Sequence, residues 1–232
     1  MRNPLFPILM SAAMLASCAE QYVVNGSSNV EGLEGKTLYL KVFAGEDMRA
    51  IDSSRVVHGK FRFRGVLDSV TMANVFVDDT SVMPVVLESG EVSLNIGEST
   101  QSATGTPMND SLSQFIQRKT QIDAQMAELP HLESQMIMDG VSLDQISVEL
   151  GAKARALNDE NDRLVSRFIS SNYENVLGPG IFMIMTSALQ YPILNPKIEA
   201  IISQAPPYFL NHPYVREYIK AAESNMEKMH DY

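Results

Sequence analysis

The stretch Lys60-Phe61-Arg62-Phe63-Arg64 places two large apolar side chains two positions apart, with a cation on each side of both. Successive side chains of a β-strand point to opposite faces, so this stretch predicts a strand with both phenylalanines in a core and three cations in water. The same period of two recurs from residue 22 to about residue 105, as in Leu38, Leu40 and Val42. This half of the chain is therefore predicted to be a small antiparallel β sandwich or barrel.

Two short turns interrupt the alternating pattern. His58-Gly59 separates the stretch 54–57 from the two phenylalanines. Ser89-Gly90 separates the apolar residues 85–87 from the alternating stretch 92–96. A two-residue connection that contains glycine is typical of a tight β-hairpin, so both positions are predicted to be hairpin turns.

The period changes near Gly105-Thr106-Pro107, and Asn109 or Asp110 is suited to be the N-cap of a helix there. Beyond this point apolar residues recur with the spacing of a helix face. They are Leu112, Phe115, Ile116, Ile122, Met126 and Leu129. The sequence thus predicts an α+β protein, with an antiparallel β domain at residues 18–106 and an all-helical domain at residues 107–232.

A long helix is predicted from Ser142 to about Ser170. It begins with the capping box Ser142-Leu143-Asp144-Gln145, and polar Asn161 interrupts its apolar seam. The seam consists of Leu143, Ile146, Leu150, Leu157, Leu164 and Phe168. Shorter helices are predicted at residues 181–190, 196–204 and 213–229, with Pro206-Pro207 as a stiff connector.

The first 17 residues have the parts of a secretory signal, namely basic Arg2, the apolar stretch 5–15 and a small-residue cleavage site. The apolar stretch is too short for a membrane span, which needs about 20 residues. The end of this segment, Leu15-Ala16-Ser17-Cys18, resembles the lipobox of bacterial lipoproteins. Residues 1–17 are therefore predicted to be a lipoprotein signal peptide and Cys18 to carry the lipid. The alternative is a secreted protein with a free thiol at Cys18.

Composition narrows the possible partners. The formal net charge is -10 at pH 7, which argues against a nucleic-acid partner, since phosphates require clustered cations. The same charge disfavours adhesion to anionic lipid, so the lipid anchor is the expected link to the membrane. Cys18 is the single cysteine, so no internal disulfide can form.

The β half resembles a domain of unknown function that heads many envelope lipoproteins of Bacteroidota-type bacteria, directly after the lipobox. The residues that carry the resemblance are Gly26, Leu38-Tyr39-Leu40, Ile51-Asp52-Ser53, Gly59-Lys60-Phe61-Arg62-Phe63-Arg64-Gly65 and Gly105-Thr106-Pro107-Met108-Asn109. In that family a helical segment and then a thioredoxin-like domain commonly follow. A thioredoxin-like centre needs two thiols, one attacking and one resolving. With one cysteine this sequence lacks that chemistry.

Residues able to bind a metal occur without a recognised spacing. None of His58, His131, His212 and His230 pairs with another at the i, i+4 spacing of a helical zinc site. Residues two apart on a helix point about 200° away from each other, so neither Met136-x-Met138 nor Met183-x-Met185 can close on one ion. The methionines are predicted to pack in the core. No catalytic residue, metal site or cofactor is predicted.

These observations favour a non-catalytic envelope lipoprotein that acts as a binding or interaction module. Its partner is expected to be a protein or a small ligand, and the seam of the 142–170 helix can pair within the chain or across a homodimer. Two alternatives stay open: an accessory to a separate envelope thiol-disulfide oxidoreductase system, and a hydrolase with an unrecognised site. Only Glu20 is acidic just after Cys18, so the outer membrane facing the periplasm is expected, by analogy with related lipoproteins.

Overall fold

The computed structural model describes residues 21–44, 47–98 and 100–230, and the predicted signal peptide and Cys18 lie outside these ranges. The strands are β1 Gln21–Ser28, β2 Thr37–Ala44, β3 Asp47–Arg55, β4 Lys60–Val66, β5 Thr71–Val77, β6 Thr80–Leu87, β7 Gly90–Ile96 and β8 Gln101–Thr104. The helices are α1 Pro107–Ala127, α2 Leu129–Met138, α3 Leu143–Ser171, α4 Leu177–Ser187, α5 Pro196–Ser203, α6 Pro207–Leu210 and α7 Pro213–His230. The predicted α+β order, with strands first and helices after, is confirmed.

The strands form two four-stranded sheets that pack face to face. The first sheet has the order β4-β1-β7-β8, and the second has the order β3-β2-β5-β6. All neighbours are antiparallel except β1 and β7, which run parallel. The predicted sandwich is therefore confirmed, but one parallel pair stands among the antiparallel ones. The paired residues of β1 and β7 are about 70 positions apart along the chain. Local periodicity indicates where a strand lies but not which distant strand it pairs with, so this pair was not predicted.

The alternation of the opening stretch is confirmed. Phe61 and Phe63 are buried, and Lys60, Arg62 and Arg64 are exposed. The two phenylalanine rings contact each other edge-on, with their centroids 5.7 Å apart. They belong to a core between the sheets that also contains Leu38, Leu40, Val75, Val85 and Leu94.

Neither of the two connections predicted to be hairpins, His58-Gly59 and Ser89-Gly90, joins two paired strands. The first is nevertheless a tight turn. His58 and Gly59 have φ angles of 50° and 66°, and the turn is closed by reciprocal backbone hydrogen bonds between Val57 and Lys60. The strands on either side then separate, because β3 pairs with β2 and β4 pairs with β1. The Ser89-Gly90 connection likewise leads from the second sheet to the first. Both connections are corners between sheets.

Helix α1 covers the edge of each sheet on one side of the sandwich. The side chain of Asn109 accepts a hydrogen bond from the Val86 amide at 2.9 Å and donates one to the Val86 carbonyl at 2.8 Å. One turn later, the Ser113 hydroxyl accepts from the Ala103 amide at 2.9 Å and donates to the Ala103 carbonyl at 2.6 Å. Val86 lies on β6 and Ala103 on β8, which are the edge strands of the two sheets. The helix thus binds both edges through side chains rather than through a further strand.

The predicted N-cap of α1 is corrected. Thr106 occupies the N-cap position and Pro107 begins the helix, while Asn109 is fully buried in the first turn. The free amides of that turn are satisfied from outside the helix, because the Glu88 carboxylate accepts from Met108 at 3.0 Å and from Asn109 at 3.2 Å. A carboxylate at this end also suits the positive pole of the helix.

A second core lies between the outer face of the second sheet and the helices. Met72 and Val86 point into it, whereas their neighbours Ala73 and Val85 point into the first core. Both faces of β5 and β6 are consequently buried over these residues. From the helices the second core receives Leu112, Val165, Ile169, Leu177, Ile181, Phe182, Ile198, Phe209 and Val215, among others. The molecule therefore has three layers: sheet, sheet and helices.

Helices α1 and α3 run antiparallel, as two contacts show. The rings of Phe115 and Phe168 lie 4.3 Å apart, and Arg118 forms an ion pair with Glu160. The Ser142 cap is confirmed, since its hydroxyl accepts from the Gln145 amide at 3.3 Å. Leu143 is wrongly placed in the seam: it is 71% exposed at the first position of α3, and burial on this helix begins with Ile146.

The remaining helices differ from the prediction in their ends. The first predicted helix divides at Glu128 into α1 and α2, and Pro207 begins the one-turn helix α6 instead of a connector. Asn195 is the N-cap of α5, and its side chain accepts a hydrogen bond from the Ile198 amide at 3.0 Å.

No helix in the described ranges combines the length and apolarity needed to cross a bilayer.

Replacing Asn109 tests the connection between the layers. Asn109→Ala leaves the Val86 amide and carbonyl buried without their partner, so the free energy of unfolding should fall by about 2 to 4 kcal/mol. Urea unfolding followed by circular dichroism measures this loss. Asn158→Ala, at an exposed position of α3, is the matched control and should change stability by less than about 0.5 kcal/mol. Equal stabilities of the two variants would contradict the role given to Asn109.

Candidate functional site

A cavity of about 500 Å³ lies between α1, α3, α4 and α5, and we call it the inter-helix cavity. One strand residue from each sheet, Pro84 of β6 and Gln101 of β8, also reaches its wall. Its apolar lining consists of Phe115, Ile116, Val165, Ile181, Ile184, Met185, Ala188, Leu189 and Ile198 together with Pro84. Its polar lining consists of Lys119, Thr120, Asn161, Asn195, Lys197 and Gln101. Cavities of this size and character are the usual sites of small-molecule binding.

Asn161 is the most informative polar residue of this cavity. It lies on α3 between the buried residues Leu157 and Val165, where an apolar side chain would complete the seam. Its Oδ1 atom is buried and has no hydrogen-bond partner among the described residues. An unpaired buried acceptor costs roughly 1 to 3 kcal/mol, so its retention requires an explanation, of which a functional role is one. Asn161 thus combines an unpaired, buried acceptor with a place among the residues that line the cavity.

Two lysines contribute to the wall of the inter-helix cavity. Lys119 pairs with Asp123 at 2.5 Å, and Lys197 pairs with Asp162 at 2.5 Å. The two aspartates do not line the cavity. Both pairs are partly exposed, so they contribute little to stability. The described wall therefore carries ammonium, amide and hydroxyl groups beside its apolar surface.

A second depression, which we call the polar groove, adjoins the inter-helix cavity. It has a volume of about 810 Å³ and runs between β8 and α1. The two depressions share Gln101, Ile116 and Thr120, so they lie side by side along α1. Uncharged hydrogen-bonding side chains dominate the groove, with Thr100, Ser102, Thr104, Ser113, Gln114, Gln117 and Gln121 beside Glu98 and Asp110. An apolar cavity beside a polar groove suits a molecule with one apolar and one polar part.

Of the possible metal-binding residues considered from sequence, Met185 lines the inter-helix cavity, whereas the histidines below do not. His58 lies in a corner between the sheets and His131 in the first turn of α2, and both are exposed. His212 precedes α7, where burial lowers the pKa of its imidazole. Among the described residues, no three side chains of the His, Cys, Asp and Glu types lie close enough together to hold a metal ion.

The inter-helix cavity was not predicted from the sequence, because its wall is formed by residues of four helices and two strands that are distant along the chain. The interruption of the α3 seam by Asn161 was the local signal that could have indicated it. A polar residue at a core position of a helix either forms hydrogen bonds within the protein or belongs to a functional site. The present fold leaves the Asn161 oxygen unpaired.

Comparison with known families agrees with this architecture. Residues 22–112 match the family described as a domain of unknown function, DUF4369. The match includes almost all of the sandwich and the first turns of α1 with Asn109, and it ends before Ser113. The predicted resemblance to a β domain of unknown function is confirmed to this extent. No curated protein sequence matches the chain. Most of the inter-helix cavity is formed by residues that follow the matched segment.

Asn161→Leu should make the ligand-free protein more stable. Leucine removes the unpaired acceptor and adds apolar contacts, so the free energy of unfolding should rise by about 1 to 2 kcal/mol. Thermal and urea unfolding measure the gain. Asn158→Leu, at an exposed position of the same helix, is the control and should give no such rise. A less stable Asn161→Leu protein would show that the oxygen is already satisfied.

Proposed function

We propose that this protein is a lipid-anchored envelope protein that binds a small amphipathic molecule in the inter-helix cavity. The observation that carries the proposal is an apolar cavity of about 500 Å³ whose lining residues include Asn161, which has a buried and unpartnered acceptor, Oδ1. The proposal specifies the binding module expected from the sequence. It assigns the binding to a small ligand and to the helical layer.

The lining specifies the kind of ligand. Its apolar part would contact Phe115, Val165 and Ile181, and a hydroxyl or N–H group would donate to Asn161 Oδ1. Its polar part would extend past Gln101 into the polar groove. Burial of apolar surface supplies most of the affinity, while the single hydrogen bond fixes the orientation.

Binding is favoured over hydrolysis because of the functional groups in the described wall. A hydrolytic site needs a nucleophile with a base, or a pair of carboxylates. The described lining of the inter-helix cavity offers amides, a hydroxyl and two ammonium groups beside its apolar residues, and the carboxylates of Glu98 and Asp110 belong to the adjoining polar groove. The composition of the cavity suits recognition of a ligand.

Binding of N-phenyl-1-naphthylamine, an uncharged apolar dye with one N–H donor, tests the proposal. The dye should bind one site per chain, with a saturable rise in fluorescence. Ile184→Trp, at the half-open rim of the cavity, should weaken binding at least tenfold by filling the space, and Asn161→Leu should weaken it by removing the acceptor.

Leu143→Trp is the matched control, because it adds the same ring at an exposed position of α3 outside the cavity. It should bind the dye like the unmodified protein. Equal dye affinities for Ile184→Trp and Leu143→Trp, with both proteins folded by circular dichroism, would contradict the assignment of the cavity.

The lipid anchor is proposed from the sequence of residues 1–18 and has its own test. When the gene is expressed in a bacterium that processes lipoproteins, Cys18→Ala should abolish incorporation of labelled palmitate and release the protein from the membrane fraction. Several acyl chains at about 0.8 kcal/mol per CH₂ hold a lipoprotein far more firmly than surface charge does. Membrane retention of Cys18→Ala without palmitate would refute the anchor.

A further inference from the structure

A separate cavity of about 150 Å³ lies where β5, α4 and the start of α7 meet, and we call it the small cavity. The residues that line it include Met72, Met183 and His212. These three residues come from distant parts of the chain: Met72 lies on β5, Met183 on α4, and His212 in the connection that precedes α7. Phe43, Thr71, Val176, Gly180, Pro213 and Tyr214 complete the wall.

The sulfur of Met72 is held against helix α4. A Cβ atom built on Gly180 would lie 2.0 Å from this sulfur, so the contact is possible only because position 180 has no side chain. Met183 follows three residues later, on the same side of α4 as Gly180. Both methionines are buried. The two thioethers therefore line the same small volume from a strand and from a helix.

His212 lines the small cavity and carries a nitrogen without a hydrogen-bond partner among the described residues. Its backbone is fixed, because its amide donates to the Phe209 carbonyl at 3.1 Å and its carbonyl accepts from the Arg216 amide at 3.0 Å. Its Nδ1 atom is buried and has no hydrogen-bond partner among the described residues. A buried polar atom without a partner requires an explanation, and an unseen ion is one of the usual ones.

We propose that Met72, Met183 and His212 form a binding site for one Cu(I) ion. Thioether sulfur is a soft ligand that selects Cu(I), and imidazole is a common additional ligand of copper. No carboxylate belongs to the described wall of this cavity, so a divalent ion would bring two uncompensated charges into an apolar setting, whereas Cu(I) brings one. The ion enters as Cu(I), and binding involves no change of oxidation state.

The site differs from the methionine pairs considered from the sequence. Met183 and Met185 face different cavities, since Met183 lines the small cavity and Met185 lines the inter-helix cavity. This separation is what the helical geometry of residues two apart requires. The second thioether of the proposed site comes from Met72 instead, more than 100 residues earlier in the chain.

Anaerobic titration with Cu(I) in competition with bicinchoninate tests the site. The full chain is used with Cys18→Ser, because the Cys18 thiol would itself bind Cu(I). This protein should withhold one equivalent of Cu(I) from the chelator, and X-ray absorption should show sulfur and nitrogen ligands. Met72→Leu, which nearly conserves volume, and His212→Phe, which keeps a ring, should each lower the affinity at least tenfold.

Met185→Leu and His131→Ala are the matched controls and should bind like the parent protein. Circular dichroism confirms that each variant is folded. Failure of the parent to withhold copper, or equal affinities of Met72→Leu and Met185→Leu, would overturn the proposal. This test does not depend on the inter-helix cavity.

Discussion

The hydrogen bonds between the Asn109 amide and the backbone of Val86 determine how the two halves of the molecule are joined. A strand edge exposes unpaired backbone groups and must be protected or paired. The Asn109 amide offers one acceptor and one donor, as the backbone of a neighbouring strand would. Ser113 does the same for Ala103 of the other sheet. Because positions four apart share one helix face, a single face of α1 closes both sheets and fixes the direction of the helix.

The same edge of β6 is protected a second time by proline. Val86 directs its backbone groups outward to Asn109, so Pro84, two residues earlier, faces outward as well. Proline has no N–H to leave unpaired there. Its ring instead forms part of the wall of the inter-helix cavity. Pro84 therefore protects the strand edge and also contributes apolar surface to the candidate site.

The sequence pattern correctly predicted those features that depend only on residues close together in the chain. The alternation around Phe61 and Phe63 and the cap at Ser142 were correct, because a strand face and a helix end are determined by neighbouring residues. The sheet to which a strand belongs was not predictable in this way. The turn at His58-Gly59 has the same local form whether its strands pair with each other or separate into two sheets.

The first turn of α1 shows why polar residues near a helix start are ambiguous. Asn is favoured at an N-cap, and the prediction for Asn109 followed that preference. In the structure Thr106 is the N-cap, and the Asn109 side chain forms hydrogen bonds to the edge strand β6. The Glu88 carboxylate accepts hydrogen bonds from the free amides of the first helical turn. Such a role requires knowing that β6 lies beside the helix. The inter-helix cavity was not predicted either, because its wall depends on which elements lie side by side. The polar residue Asn161 in the apolar seam of α3 was the one local sign of it.

Helix α4 separates the two cavities, and its sequence follows from that position. Ile181, Ile184 and Met185 face the inter-helix cavity, while Gly180 and Met183 face the small one. A helix with neighbours on both sides must be apolar nearly all round, as α4 is. It must also approach its neighbours closely: a Cβ on Gly178 would lie 2.4 Å from the Asn172 carbonyl oxygen, and one on Gly180 would meet the Met72 sulfur. The two glycines therefore set the distance of α4 from α3 and β5, and with it the shape of both cavities.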